Sequence, residues 1–240
     1  MELQIIARIE SDFPEKFGIP RQSGLAPTRA RVVFLPQFRQ EEAFRGLSGF
    51  SHVWLLWLFS ENKKTGWQAT VRPPRLGGNA RLGVFATRSP YRPNPIGLSC
   101  VRLLSVLQTE RGVELEVEGA DLMDGTPIVD VKPYLPYADS HPDAAGGFAE
   151  ETERRKLEVE CPEELLSLVP EEKREALLSI LSEDPRPSYQ DDETRVYGVS
   201  FAGFNVRFTV SRGILRVCGA EKLCRAIAPH RNLPESKKQP

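Results

Sequence analysis

The sequence predicts a mainly β protein, a closed or nearly closed barrel followed by a small α+β unit, and three observations carry that prediction. Short apolar runs bounded by proline, glycine and polar turns recur well past the middle of the chain, with little helical periodicity between them. Val113, Leu115 and Val117 alternate with Glu114, Glu116 and Glu118, which gives one dry and one wet face of a sheet. After Pro142 the pattern changes to a helical stretch and then three strand-like runs. Many short strands leave unpaired edges unless the sheet closes on itself, hence the barrel.

In chain order, residues 3–9 form the first strand and residues 13–28 a loop rich in proline and glycine. Residues 30–35 are a second strand and 40–45 a short helix. Residues 51–60 hold the apolar run Val53 to Phe59, too short for most helices and rich in aromatics, which reads as a fully buried strand. Residues 71–79 are loop, because their prolines and glycines forbid regular pairing, and 82–86 a short strand. Residues 96–107 and 113–119 make a hairpin around Glu110-Arg111-Gly112, and 127–134 add another strand. Residues 162–182 carry helix marks, with Pro170 at a first helical position, Glu171 and Glu172 behind it, and Leu177, Leu178 and Leu181 on one face. Residues 195–201, 206–210 and 214–217 form a small antiparallel sheet. The expected division is a barrel domain over 1–140, a connector over 141–155, an α+β domain over 156–230 and a frayed tail over 231–240.

Acids and bases nearly cancel over the 240 residues, with a net charge of −1, but they are segregated. No Asp or Glu lies between Asn62 and Thr109, a window that holds Lys63, Lys64, Arg72, Arg75, Arg81, Arg88, Arg92 and Arg102. Such a run repels itself unless an anion uses it, and arginine suits forked phosphate contacts, so a nucleotide or nucleic acid is the expected partner. Residues 139–193 are acidic and the tail basic, with Arg207, Arg212 and Arg216 as a second candidate grip on RNA. No apolar stretch approaches a membrane span, and residues 1–4 lack a signal-peptide pattern, so a cytoplasmic location without membrane attachment is expected. Cys100, Cys161, Cys218 and Cys224 show no metal spacing and read as reduced, mostly buried thiols; no metal site is expected.

Three segments carry chemistry. Residues 83–98 run from a strand into a loop stiffened by Pro90, Pro93 and Pro95, which holds Arg88, Tyr91, Arg92 and Asn94 with little entropy left to lose. Two guanidiniums, a ring and an amide on a rigid loop suit nucleotide recognition. Residues 121–134 contain Asp124-Gly125-Thr126-Pro127, a tight turn whose backbone can approach a ligand, then Asp130 and Lys132 on one strand face. Taken alone, that turn is an ordinary hairpin connection. Residues 18–24 form a polar loop, and His52 beside Trp54 reads as a packed histidine.

Residues 17–24 (FGIPRQSG), 49–54 (GFSHVW), 70–99, 124–137 (DGTPIVDVKPYLPY), 184–190 (DPRPSYQ) and 204–210 together resemble the TsaA/TrmO family over nearly the whole chain. The resemblance implies a single-sheet β-barrel outside the Rossmann class with a small α+β C-terminal domain. It also implies a homodimer that methylates N6 of threonylcarbamoyladenosine at position 37 of threonine tRNAs, with S-adenosylmethionine as donor. The absence of a GxGxxG fingerprint agrees with a non-Rossmann donor site. The resemblance carries the donor pocket over to Arg21, Gln22, Ser60, Glu61, Arg88, Leu98, Asp124, Gly125, Thr126 and Pro127. RNA contacts are expected at Arg72, Arg75, Arg81, Tyr91, Arg92 and Lys132. The target nitrogen is conjugated to a purine and a urea carbonyl, so it is a poor nucleophile that needs an acceptor for its proton. Asn94, Asp124 and Asp130 are the candidates for that role. A non-catalytic RNA- or nucleotide-binding barrel, or a methyltransferase for a small metabolite, are the competing readings.

Overall fold

The computed structural model describes residues 3–61, 66–73, 76, 80–151, 156–186 and 192–223. Its first eight strands are β1 (Ala7–Glu10), β2 (Arg29–Phe34), β3 (His52–Leu58), β4 (Thr70–Val71), β5 (Leu82–Gly83), β6 (Ile96–Thr109), β7 (Gly112–Glu118) and β8 (Pro127–Pro133). Six of them close a barrel in the order β1-β2-β7-β6-β3-β8, and every neighbouring pair is antiparallel. Alternate residues fill its interior: Ala7, Ile9, Val32, Val53, Leu55, Val101, Leu115, Val117 and Ile128 are essentially inaccessible. Roughly eight strands give an interior just wide enough for packed side chains. A six-stranded barrel is therefore filled by its own core, and a ligand has to sit at an end or outside.

The antiparallel order decides which end. Chain direction alternates around the barrel, so the β1–β2, β3–β6 and β7–β8 connections emerge together at one mouth. Those connections span residues 11–28, 59–95 and 119–126, and each of the three chemistry-bearing segments contributes to them.

The second unit follows α1 (Pro136–Asp139) and α2 (Phe148–Glu151) and contains β9 (Glu158–Glu160), α3 (Glu163–Leu166), α4 (Glu171–Ser182), β10 (Tyr197–Phe201), β11 (Phe204–Ser211) and β12 (Ile214–Lys222). Its sheet has the order β10-β11-β12-β9, with β9 parallel to β12. Glu171 and Glu172 in the first turn of α4 complement the helix dipole, and Ala176, Leu177, Ile180 and Leu181 are its buried face. The β1–β2 loop belongs to this second core: Phe13 and Ala26 are buried within it, and the Phe13 ring lies 5.4 Å from that of Phe201. The Lys173 ammonium meets Asp12 Oδ2 at 2.5 Å, and the Ala202 N–H donates to the Asp12 carbonyl at 3.0 Å. No helix among the described residues is long and apolar enough to cross a membrane.

Several elements differ from the sequence expectation. β1 starts at Ala7, since Leu3 is exposed. Residues 41–44 wind as a 3-10 turn. β3 is not fully buried: Val53 and Leu55 point inward, while His52, Trp54 and Leu56 lie half-covered on the outer wall. Val71 pairs with Leu82, and residues 84–86 turn into a 3-10 helix instead of extending β5. Glu114 is buried, not wet, because Arg111 Nε at 2.8 Å and Arg31 at 3.7 Å roof its carboxylate on the outer wall. The 162–182 stretch divides into two helices, with Pro170 one position ahead of α4. β9, only Glu-Val-Glu, is too short for its alternation to register. Cys218 is exposed; Cys100 and Cys161 are half-buried, and burial pushes both thiols up. Cys224, Arg75 and the tail over 231–240 lie outside the described residues.

Candidate active site at the barrel mouth

Hydrogen bonds knit the loops of the mouth together. The Gly24 N–H donates to the Gly119 carbonyl at 2.8 Å, Thr28 Oγ1 to the Ala120 carbonyl at 3.0 Å, and the Asp124 N–H to the Phe13 carbonyl at 2.8 Å. Gly125 holds φ at 77°, a left-handed conformation that this turn, closed by Thr126 N–H to Met123 carbonyl, requires of its third residue. The proline-braced loop joins through the Gln68 N–H to the Tyr91 carbonyl, 3.1 Å, and through Arg88, whose guanidinium donates to Gln22 Oε1 at 2.5 Å.

Two cavities open there. The larger, about 850 Å³, lies between the barrel and the second unit, and its wall includes Arg21, Arg72, Arg81, Arg88 and Arg186 with Gln22, Gln68 and Phe17. The smaller, about 400 Å³, is walled by Ile19, Trp57, Leu58, Phe59, Leu122 and Met123, with Ser60, Glu61, Asp121 and Thr126. Lys16, Ile19, Pro90 and Tyr91 line both, so the cavities share a partition. Both volumes lie in the range of small-molecule sites.

The floor of the smaller cavity is a polar chain set in apolar surroundings. Trp57 Nε1 donates to Ser99 Oγ at 3.0 Å, and the Ser99 hydroxyl donates to Asp121 Oδ1 at 2.5 Å. Gly97 makes room for the indole, since a Cβ there would collide with it. Burial pushes the Asp121 carboxyl above the ordinary carboxylate range, against the opposing pull of the Ser99 hydroxyl, the N–H groups of Asp121 itself and Ser23, and the Arg88 charge.

The predicted site residues divide accordingly. Arg21, Gln22, Arg72, Arg81 and Arg88 face the larger cavity, Ser60, Glu61 and Thr126 the smaller, and Tyr91 both. Asp124 and Gly125 form the turn behind the smaller cavity: Asp124 Oδ1 accepts the Ser11 N–H at 3.0 Å, and the Gly125 carbonyl accepts Arg8 at 2.7 Å. Pro127 is buried beneath them. Arg92 is a strut, donating to the carbonyls of Val84 and Thr87 at 3.1 and 2.6 Å with its guanidinium over Phe85. Asn94 is exposed and lines neither cavity. Asp130 and Lys132 pair with each other at 2.9 Å on strand β8, and Leu98 is half exposed on β6. Arg207 and Arg216 are engaged by Glu221 and Glu160, both at 2.6 Å. Sequence reasoning missed Asp121, Ser99 and Trp57 as one unit, and Lys16 and Arg186 as cavity walls. Trp57 pairs with Gly97, two residues before Ser99, so the unit depends on a strand register that the sequence does not display.

Fold and site define a β-barrel protein with a nucleotide-sized double cavity, outside the Rossmann class. The chain matches the family model for the tRNA-methyltransferase O N-terminal domain over residues 8–140 and that for the TrmO C-terminal domain over 154–223. It is 44% identical over 222 residues to an Escherichia coli (strain K12) protein named tRNA (adenine(37)-N6)-methyltransferase, covering 88% of this chain and 93% of that one. A protein of the same name from Eikenella corrodens is 47% identical over 166 residues, 69% of this chain and 93% of its own. The crystal structure of TrmO from Pseudomonas aeruginosa superposes with a TM-score of 0.74 at 35% identity, covering 92% of this chain and 98% of that one. The chain belongs to the tRNA-methyltransferase O family.

Proposed function

We propose that this chain transfers a methyl group from S-adenosylmethionine to N6 of threonylcarbamoyladenosine at position 37 of threonine tRNAs, in the cytoplasm and as a homodimer. The observation that carries the reading is the pair of cavities that meet at Tyr91, one small and acid-floored, the other large and lined with arginines. A cationic donor with an aromatic base fits the smaller: Trp57, Phe59, Leu122 and Met123 supply apolar wall, and Glu61 and Asp121 supply complementary charge. When bound there, the donor supplies an electrophilic methyl group. Ser60, Glu61 and Thr126 would hold it, with Arg21, Gln22 and Arg88 closing the side toward the larger cavity. The Asp124–Pro127 turn supports that wall from behind.

The larger cavity suits an RNA loop, because arginine forks engage phosphates while Tyr91 and Phe17 offer faces to an unstacked base. Removing Arg72 and Arg81 together should weaken tRNA binding and flatten its salt dependence, by about 1.4 in the slope of log K against log salt for two single-strand phosphate contacts. Filter binding at several salt concentrations measures this, and an unchanged slope excludes both residues as phosphate contacts. The dimer reading comes from the family resemblance, and its test is placed on the outer wall of β3 and β6, where Leu98 is half exposed and pairs in register with Leu56. Sedimentation equilibrium should return twice the chain mass for the wild type and the single-chain mass for Leu98→Arg.

The functional test is nucleoside mass spectrometry. Threonine tRNA from a strain lacking this chain should lose a methyl increment on threonylcarbamoyladenosine, and purified chain with S-adenosylmethionine should restore it. A methyl increment that persists in the strain lacking the chain, or that purified chain fails to restore, would falsify the reading. A chain that binds tRNA but gives no heat with S-adenosylmethionine would be a non-catalytic RNA binder.

A further inference from the structure

The three groups expected to take the proton of the target nitrogen do not face the cavities: Asn94 is exposed on its loop, Asp124 caps a turn, and Asp130 is paired on strand β8. Among the described residues, the acids lining the smaller cavity are Glu61 and Asp121. Glu61 is exposed at the rim, where its backbone carbonyl accepts Lys16 Nζ at 2.8 Å. Asp121 lies on the floor, half-buried and hydrogen-bonded to Ser99 of β6, and Arg88 and the Ser23 N–H also act on it. Because Arg88 and Gln22, next to Ser23, line the larger cavity, Asp121 sits on the side where a base in that cavity would meet the donor.

We propose that Asp121 is the catalytic proton acceptor of the methyl transfer proposed above, an inference that rests on that reading. The lone pair of N6 forms the new N–C bond, the C–S bond breaks with its electron pair going to sulfur, and the N6 proton passes to an Asp121 carboxylate oxygen. Trp57 donates to Ser99 Oγ, so the hydroxyl proton of Ser99 is directed at Asp121 Oδ1 and fixes the carboxylate in the cavity wall. The carboxylate loses its charge in the step in which the sulfonium loses its own, so the apolar cavity begins and ends without net charge from the pair. Burial makes Asp121 a stronger base than an ordinary aspartate. Its titration is set first by burial, then by the Ser99 hydroxyl, its own N–H, the Arg88 charge and the Ser23 N–H, while Lys16, Glu61 and Tyr91 line the same cavity.

The test uses the full chain with saturating donor and tRNA. Asp121→Asn should lower kcat at least about 100-fold and abolish the acid limb of its pH profile. Its calorimetric affinity for S-adenosylhomocysteine, which lacks the sulfonium charge, should stay at the wild-type value. Ser99→Ala removes a donor that favours the ionised form, so it should raise the Asp121 pKa and move the acid limb to higher pH. In the wild type, carbon-13 carboxyl NMR should find Asp121 titrating above the ordinary aspartate range, a readout that does not depend on any variant folding. Wild-type kcat in Asp121→Asn, an acid limb that Ser99→Ala leaves in place, or an ordinary titration each overturns the assignment while the methyltransferase reading stands. A wild-type chain with no turnover overturns both.

Discussion

Replacing Phe13 with alanine should destabilise the chain by about 3–5 kcal/mol, the range for truncating a buried aromatic. The ring is inaccessible and packs against Phe201, yet it belongs to a loop rather than to the sheet it fills. The surroundings have little freedom to collapse into the space, because the Phe13 carbonyl accepts the Asp124 N–H and the neighbouring Asp12 is held by Lys173 and Ala202. The same loop carries Arg21 and Gln22 into the larger cavity, so the lost stability should appear as lost function: affinity for donor and tRNA should fall before the barrel core melts. Urea unfolding measures the first effect as a shift in midpoint at constant m, and calorimetry measures the second. Midpoints within error of the wild type would mean that the β1–β2 loop does not anchor the second unit.

Much of this architecture was legible because its signals are local. The alternation over residues 113–118 and the turn at 110–112 fix a hairpin from sequence neighbours alone, and prolines 90, 93 and 95 mark a rigid loop without reference to any partner. Barrel closure was legible only as a class, since which strand meets which depends on contacts distant in sequence. The failures come from side-chain contacts that the pattern of residue types does not display. Glu114 looks solvent-facing by alternation and is buried because Arg31, from another strand, covers it. Arg92 has the composition of a phosphate ligand, but the carbonyls of its own loop claim its guanidinium. Asp121 looks like an ordinary residue at a strand end; only the register that sets Trp57 opposite Gly97, two residues before Ser99, turns it into the floor of a cavity. Arg88 was legible on the proline-braced loop, whereas Arg21, Gln22, Ser60 and Glu61 came from the family resemblance, and no spacing argument would have grouped them with it.

Arg88→Ala should separate the two tasks of the arginine-rich mouth. Arg72 and Arg81 act on RNA alone if they act as phosphate contacts, so their loss should raise KM for tRNA and leave the pH profile in place. Arg88 differs because it reaches two elements: it donates to Gln22, and its charge acts on Asp121. Losing the charge-assisted hydrogen bond should cost about tenfold in kcat/KM, the low end for such bonds because the guanidinium is exposed and screened. Losing the charge removes an influence that lowers the Asp121 pKa. The pKa therefore rises, a larger fraction of Asp121 is protonated at any given pH, and the acid limb of kcat moves to higher pH. Arg88→Lys keeps the charge without the fork, so it should hold the limb near its wild-type position while losing part of kcat/KM. Gln22→Ala should also leave the limb in place, because it removes the bond and not the charge. Steady-state kinetics across pH for these three variants distinguishes the contributions. A limb that stays fixed in Arg88→Ala would mean that the proline-braced loop and the acid at the barrel mouth work independently.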